Sequence, residues 1–386
     1  MRRRNKVLLT IGGLLLGGAL AFALVLSYDA ACPAPATAGP AGAGPGSMRA
    51  VQVHCYGEPS AAITIEQVPI PVPADNELLV RVHAAGVNPL DWHYLHGKPY
   101  VMRLSAGIGR PASSAAGVDF AGTVEAVGAA VRDYRPGDAV FGMRNGAFGE
   151  YLVVRETGSV ARMPDGLGFE QAAAVPIAAV TALQAVRDAG RVGPGSRVLI
   201  NGASGGVGTF AVQIASALGA EVTGVSSARN TALVASLGAD HTIDYAVEDF
   251  TQGGARYDVI IDNVGNHGLA AMRSALVPDG ILVMVTGPKT GAWLGPIGRM
   301  LAGMVTGPFV SQEQITLFAQ GNREDMAALR DLLAAGTLRA VIDRRFTLDQ
   351  VPDAIDWLEQ GRTRGKNVVL VAAPAPARQA AIADGR

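Results

Sequence analysis

Residues 196–219 constrain the fold of this chain more than any other stretch. SRVLIN (196–201) is a short apolar run, NGASGG (201–206) is a glycine cluster, and GVGTFAVQIASALG (206–219) carries apolar residues at Val207, Phe210, Ala211, Ile214, Ala215 and Leu218. Spacings of three and four predict a helix with one apolar face, ended by Gly219. A buried strand, a glycine turn and an amphipathic helix in that order begin a βαβ unit, which closes as a parallel sheet with helices on both faces. The turn also has a chemical reading. Gly202, Gly205, Gly206 and Gly208, with Ala203, Ser204 and Val207 between them, let backbone N–H groups approach a pyrophosphate at the positive end of a helix. A purely structural glycine turn is the plain alternative, and the strand–turn–helix setting favours the nucleotide.

The same rhythm continues. AEVTGVSS (220–227) reads as the next strand, Asn230 as the cap of a helix running to Gly238, and HTIDY (241–245), YDVIIDNVG (257–265) and GILVMVTG (280–287) as further strands. The expected class is α/β, with a doubly wound parallel sheet over 166–324. The end of its second strand selects the cofactor. An acid there would bind ribose hydroxyls, but the stretch reads VSSARN. Ser226, Ser227 and Arg229 suit a 2′-phosphate through charge-assisted hydrogen bonds, which predicts NADP(H). The alternative is that Arg229 is only a solvated loop residue.

Residues 48–165 are different. Runs such as LLVRVHAAGV (78–87) and GTVEAVG (122–128), punctuated by Gly, Pro and Asp, predict a compact β-rich domain. The segment 325–372 predicts a helix over Asp325–Ala335 and a closing VVLV strand, and 373–386 a disordered tail. GAWLGPIGRMLAGMVTGPFV (291–310) is apolar for a loop. It is expected to roof a pocket, to cover the parallel sheet, or to meet a membrane or a partner.

The N-terminus is of another kind. Arg2, Arg3, Arg4 and Lys6 precede an uncharged run from Val7 to Leu26, long enough as a helix to span about 30 Å. Residues 1–30 are therefore expected to be a single-pass membrane anchor, followed by a Pro/Ala/Gly linker over 31–47. A cleaved signal, a lipid on Cys32, and a start at Met48 are the alternatives. Positive charges before the run put the enzyme domain on the outer side, in tension with a cofactor found inside. The two cysteines, Cys32 and Cys55, allow one bridge at most and no cysteine-built metal site. A net charge of −1 gives no footprint for nucleic acid.

AAGVNPLDW (84–92), GVDFAGTVEAVG (117–128), RPGDAVFG (135–142), GAFGEYLVV (146–154), AAAVPIAAVTALQAV (172–186), INGASGGVGTFAVQIA (200–215) and IDNVG (261–265) together resemble the medium-chain dehydrogenase/reductase superfamily. More narrowly they resemble its zinc-free, quinone oxidoreductase-like branch, over about 48–371. The resemblance implies a GroES-like catalytic domain built from 48–165 and 325–372, and a Rossmann domain between them. It implies hydride transfer from NADPH to a quinone or an α,β-unsaturated carbonyl compound. Alcohol/aldehyde interconversion and a non-catalytic, membrane-tethered NADPH-binding adaptor are the alternatives. Where zinc-dependent relatives hold their metal, this chain has Val87-Asn88-Pro89 and Gly117-Val118-Asp119, so no metal is expected. By the same similarity Asn88 and Asp91 line the nicotinamide end. His93 stands where relatives often carry Tyr or Lys, as a donor or as a polar wall, and Tyr94 is the secondary candidate. Thr181, Asn263 and Val264 match cofactor-contacting positions, and Tyr245 an adenine-side one. Dimers are common in the superfamily, so a homodimer is compatible with the resemblance.

Overall fold

The structure, a computed structural model, describes residues 17–33, 46–252, 256–287 and 291–371. Among these, six parallel strands form one sheet in the order His241–Asp244, Glu221–Ser226, Arg197–Asn201, Tyr257–Asp262, Leu276–Met284, Glu313–Thr316. The first strand in sequence lies inside, beside the second and the fourth. That is the doubly wound order, with its switch point at the end of Arg197–Asn201. Leu199 and Ile200 are fully buried in it, as a strand covered on both faces requires.

The second large sheet takes strands from both ends of the chain. Glu77–Val87 lies at its centre, antiparallel to Asp119–Val127, to Tyr151–Arg155 and to Lys366–Leu370. Ile342–Thr347 pairs parallel to the last of these, and Ala139–Met143 and Val160–Arg162 extend the other side. One apolar cluster fuses the two halves. Ala84, Ala121 and Phe141 of the mixed sheet pack in it with Ile200, Phe210 and Ala211 of the parallel one, through the small residues of the helix Pro176–Leu183. Each large side chain wholly buried there contributes roughly 2–3 kcal/mol.

The helix predicted at 206–219 is observed as Gly206–Ala217, and the one at 325–335 as Arg323–Ala334. Asn230 does precede a helix, Thr231–Ser236, but its side chain makes no cap. Its Nδ2 donates instead to Ser204 Oγ at 3.0 Å, tying the second strand's exit to the glycine turn.

The expected membrane span requires correction. Among the described residues no helix is long and apolar enough to cross a membrane. Of the apolar run, the described part is helical over residues 17–27. Membrane anchoring, and the outward orientation built on it, therefore have no support. Residues 7–16 of the run, 34–45 of the linker and the tail 373–386 lie outside the described residues.

The segment after that helix is bound to the protein. Leu26 is buried. The guanidinium of Arg103, itself wholly buried, donates to Leu26 O and Tyr28 O at 3.0 Å each and pairs with Asp29 at 2.7 Å. It also donates to Gly97 O and is stacked over the rings of Tyr56 and Tyr100. Ala30 N–H bonds to Gly109 O, and Cys32 is bridged to Cys55. Residues 26–32 thus form a strap along the outside of the β-rich domain.

Candidate active site

The site begins with a local signal. Asn88 ends the central strand in an extended conformation, Pro89 opens the helix Pro89–His96, and Gly97 closes it with φ +56°. Proline at the first helical position and glycine past the last are what helix ends favour. Asp91, at the third position, accepts Asn88 N–H at 2.8 Å and suits the positive helix end.

Tertiary structure then closes a polar cluster around Asn88. Its Nδ2 donates to Asp119 Oδ2 at 3.0 Å and to Gly86 O at 3.3 Å, and its Oδ1 accepts from Lys366 Nζ. Lys366 also donates to Val87 O at 3.1 Å and to Asp119 Oδ2 at 3.4 Å. Asp119 Oδ1 accepts Ile177 N–H at 2.9 Å. Asn88, Asp91, Asp119 and Lys366 are all buried, Asp119 completely. Burial alone pushes the Asp119 carboxyl up and the Lys366 ammonium down. The hydrogen-bond inventory opposes this. Lys366 faces three acceptors and Asp119 faces only donors, so the pair is held in its ionic form.

Asp91 is placed differently. Burial raises its carboxyl to about 7, against the opposing hydrogen bond from Asn88. It lines a cavity of about 510 Å³ together with Leu90, Tyr94, Phe148, Arg144 and Asn145. Tyr94 is half-exposed there. His93 is absent from the cavity wall, and its Nδ1 is 2.8 Å from Lys98 O at the helix end. Asn88 has both amide hydrogens engaged, so the carboxylic acid of Asp91 and the phenol of Tyr94 are the polar groups that this helix offers to the cavity.

The glycine turn has the form its sequence predicts. Gly202 has φ +78° and Gly205 stands extended before the helix. A Cβ on Gly208 would lie 2.1 Å from Gly202 O, so only glycine lets the helix come this close to the strand. The first helical turn carries no acid, and its N–H groups, among them those of Gly206, Val207 and Gly208, have no intrahelical partner. Ala203 is buried and its N–H bonds to Val225 O, while Ser204 O accepts Gly365 N–H. Val264 and Asn263 lie against Gly202, and Asn263 Oδ1 is buried with no partner among the described residues. Ser226 is buried at the strand end. Tyr245, mostly exposed, bonds its N–H to Ser226 O. Among the described residues, the Arg229 guanidinium makes a single hydrogen bond, to Arg362 O at 3.3 Å. Thr181 donates back to Ile177 O within its own helix. An uncapped helix end, an orphaned buried acceptor, and a guanidinium with donors unmatched among the described residues fit a phosphorylated dinucleotide.

Lys366 and Asp119 escaped the sequence reading as site residues. The available signal was a lysine entering an apolar strand, GKNVVLV, since lysines are almost never fully buried without a partner. Among the described residues no three His, Cys, Asp or Glu side chains are grouped as a metal site.

The fold and the turn define a two-domain, dinucleotide-binding class, and comparison with known proteins agrees. Residues 74–165 match the family model described as alcohol dehydrogenase GroES-like domain, and 237–369 the one described as zinc-binding dehydrogenase. A chloroplast envelope quinone oxidoreductase homolog of Arabidopsis thaliana is 30% identical over 83% of this chain and 98% of its own length. The solved quinone oxidoreductase of Coxiella burnetii is 31% identical, with a TM-score of 0.73 over 84% of this chain and all of that one. That of Escherichia coli, complexed with NADPH, is 26% identical, with a TM-score of 0.71 over 84% of this chain and all of that one. The chain belongs to the medium-chain dehydrogenase/reductase superfamily, in its quinone oxidoreductase-like branch.

Proposed function

We propose that this NADP-dependent oxidoreductase reduces a quinone or an α,β-unsaturated carbonyl compound without a metal ion, with Asp91 as the proton donor. The observation that carries this reading is the cavity of about 510 Å³, apolar over much of its wall, into which Asp91 and Tyr94 face. The names of the relatives support the same substrate class.

Bound NADPH supplies a hydride. The amides of residues 206–208 and the helix end would hold the diphosphate, Ser226, Ser227 and Arg229 would hold the 2′-phosphate, and Tyr245 would serve the adenine side. Thr181, Asn263 and Val264 would serve the nicotinamide. Negative charge that collects on the substrate oxygen needs donors, and Tyr94 and protonated Asp91 provide them. Raising the carboxyl from its ordinary value near 3.8 to about 7 leaves a substantial protonated fraction at neutral pH. Val87 and Val118 offer no ligating atom, which supports metal-free chemistry.

The purified chain, treated with chelator and given NADPH with a panel of quinones and enals, should lose absorbance at the reduced-nicotinamide band. Bound cofactor with no turnover on any of them would refute the reading. Two variants test its parts. Arg229→Ala should weaken NADPH roughly tenfold or more and NADH little, since a charge-assisted bond to the extra phosphate is lost. Fluorescence titration of both cofactors measures this, and equal losses would remove Arg229 from the site. Asp91→Asn keeps an acceptor for Asn88 N–H but carries no proton to give. In the parent, kcat should fall as pH rises through about 7. In Asp91→Asn, kcat should be lower by roughly 10²-fold and that inflection absent. Retention of the inflection would assign the proton elsewhere.

A further inference from the structure

We infer that Lys366 is a positioning residue joining the two halves of the site: its stem lies beside the nucleotide loop, and its ammonium sets the carboxamide of Asn88, the residue whose backbone N–H holds Asp91. The inference rests on the reading of 202–208 as the dinucleotide loop and of Asp91 as the proton donor.

One end of the connection is at the loop. A Cβ on Gly206 would touch Lys366 Cδ at 3.2 Å, and Gly365 N–H bonds to Ser204 O at 2.9 Å. The turn before Lys366–Leu370 is thus fastened to the two sides of Gly205. The other end is at Asn88. With Lys366 on Oδ1 and with Asp119 and Gly86 O on Nδ2, the carboxamide has one orientation. Reversing it would set Nδ2 against an ammonium and Oδ1 against a carboxylate. The backbone N–H of the same residue holds Asp91. Four residues therefore run from loop to cavity: Gly206, Lys366, Asn88, Asp91. A displacement of the loop on cofactor binding would press on the Lys366 stem and pass through the buried hydrogen bonds of Lys366 and Asn88 to the carboxyl that delivers the proton.

The charges around Asp91 make the role measurable. Asp119 faces it from the neighbouring strand and raises its carboxyl, and Lys366 from the last strand opposes this. Tyr94 lies on its own helix and Arg144 across the cavity. On the packed helix Val351–Glu359, Glu359 is 3.8 Å from His96 and Asp356 is held up by burial and by Glu359. Removing the Lys366 charge leaves the acidic neighbours unopposed on this side.

The test uses the full chain and two variants. Lys366→Met retains a stem against Gly206 and loses every donor. Lys366→Gln loses the charge but retains a donor for Asn88 Oδ1. Lys366→Met should leave the NADPH Kd within about threefold and lower kcat at least about tenfold, and Lys366→Gln should recover most of that loss. Both should move the pH midpoint upward, in kcat and in the thermal stability of the cofactor-free chain, which declines as Asp91 ionises. Met and Gln variants alike in kcat, or midpoints that stay where the parent has them, would overturn the inference. If Lys366→Met does not fold, the midpoint of Lys366→Gln decides in the same way. Parent enzyme without turnover defeats the reading beneath. Normal parent turnover with unmoved Lys366 variants defeats this inference alone.

Discussion

Gly208→Ala is expected to cost the protein about 3 kcal/mol of stability, at the upper end of overpacking, and to weaken NADPH at least roughly hundredfold. The added Cβ would meet Gly202 O at 2.1 Å and Ala203 Cα at 2.8 Å. Both are backbone atoms of the turn, and neither can rotate away. The helix Gly206–Ala217 must retreat from the strand Arg197–Asn201, opening the contact around Ile200, Phe210 and Ala211. The amides proposed to hold the diphosphate retreat with it. Gly205→Ala is the matched control. Its Cβ would lie 3.4 Å from Gly202 O, an ordinary contact, on a backbone already extended at φ −82°. Its stability should stay within about 1 kcal/mol of the parent. Thermal denaturation and fluorescence titration of the pair measure both effects. Equal behaviour of the two variants would show that close helix–strand approach is not what the glycines serve.

Arg103→Leu is the second large effect, a loss of about 3–5 kcal/mol. The guanidinium is wholly buried, and its donors satisfy Leu26 O, Tyr28 O, Gly97 O and Asp29. Leucine leaves those acceptors without a partner beneath two tyrosine rings. The strap would then be held mainly by Cys32–Cys55, whose 23-residue separation corresponds to about 3 kcal/mol in the chain-entropy account. Urea denaturation with and without reductant should show the arginine loss in both series, and a further drop on reduction. Proteolysis within residues 26–32 should accelerate most in the reduced variant. A variant that unfolds where the parent does, with the strap still protected, would mean that these contacts carry little stability.

Much of the architecture is legible in short windows. The glycine turn between 201 and 208 stands out because a strand, a tight turn and a 3.6-residue period occupy neighbouring residues. Asn88, Pro89, Asp91 and Gly97 mark a helix start and stop by chemistry that acts within one turn. The absence of an acid after Glu221–Ser226 needs only the strand's end to be located. The N-terminal run shows where such reading fails. Hydropathy over Val7–Leu26 counts side chains and is blind to what the chain meets next, here a buried arginine some 75 residues further on. His93 has a clear position in the motif, and only the folded chain shows its Nδ1 at 2.8 Å from Lys98 O.

The amino-acid order alone determined the strand–turn–helix alternation, the glycine turn and the helix that bears Asp91, since periodicity, capping and glycine geometry are local. Only the folded chain decided that Lys366 would meet Asp119 across 247 residues, and that Asp91 would hold a proton near neutrality. The energy of a buried charge depends on the neighbours that replace its water, and those neighbours are assembled by packing between distant segments.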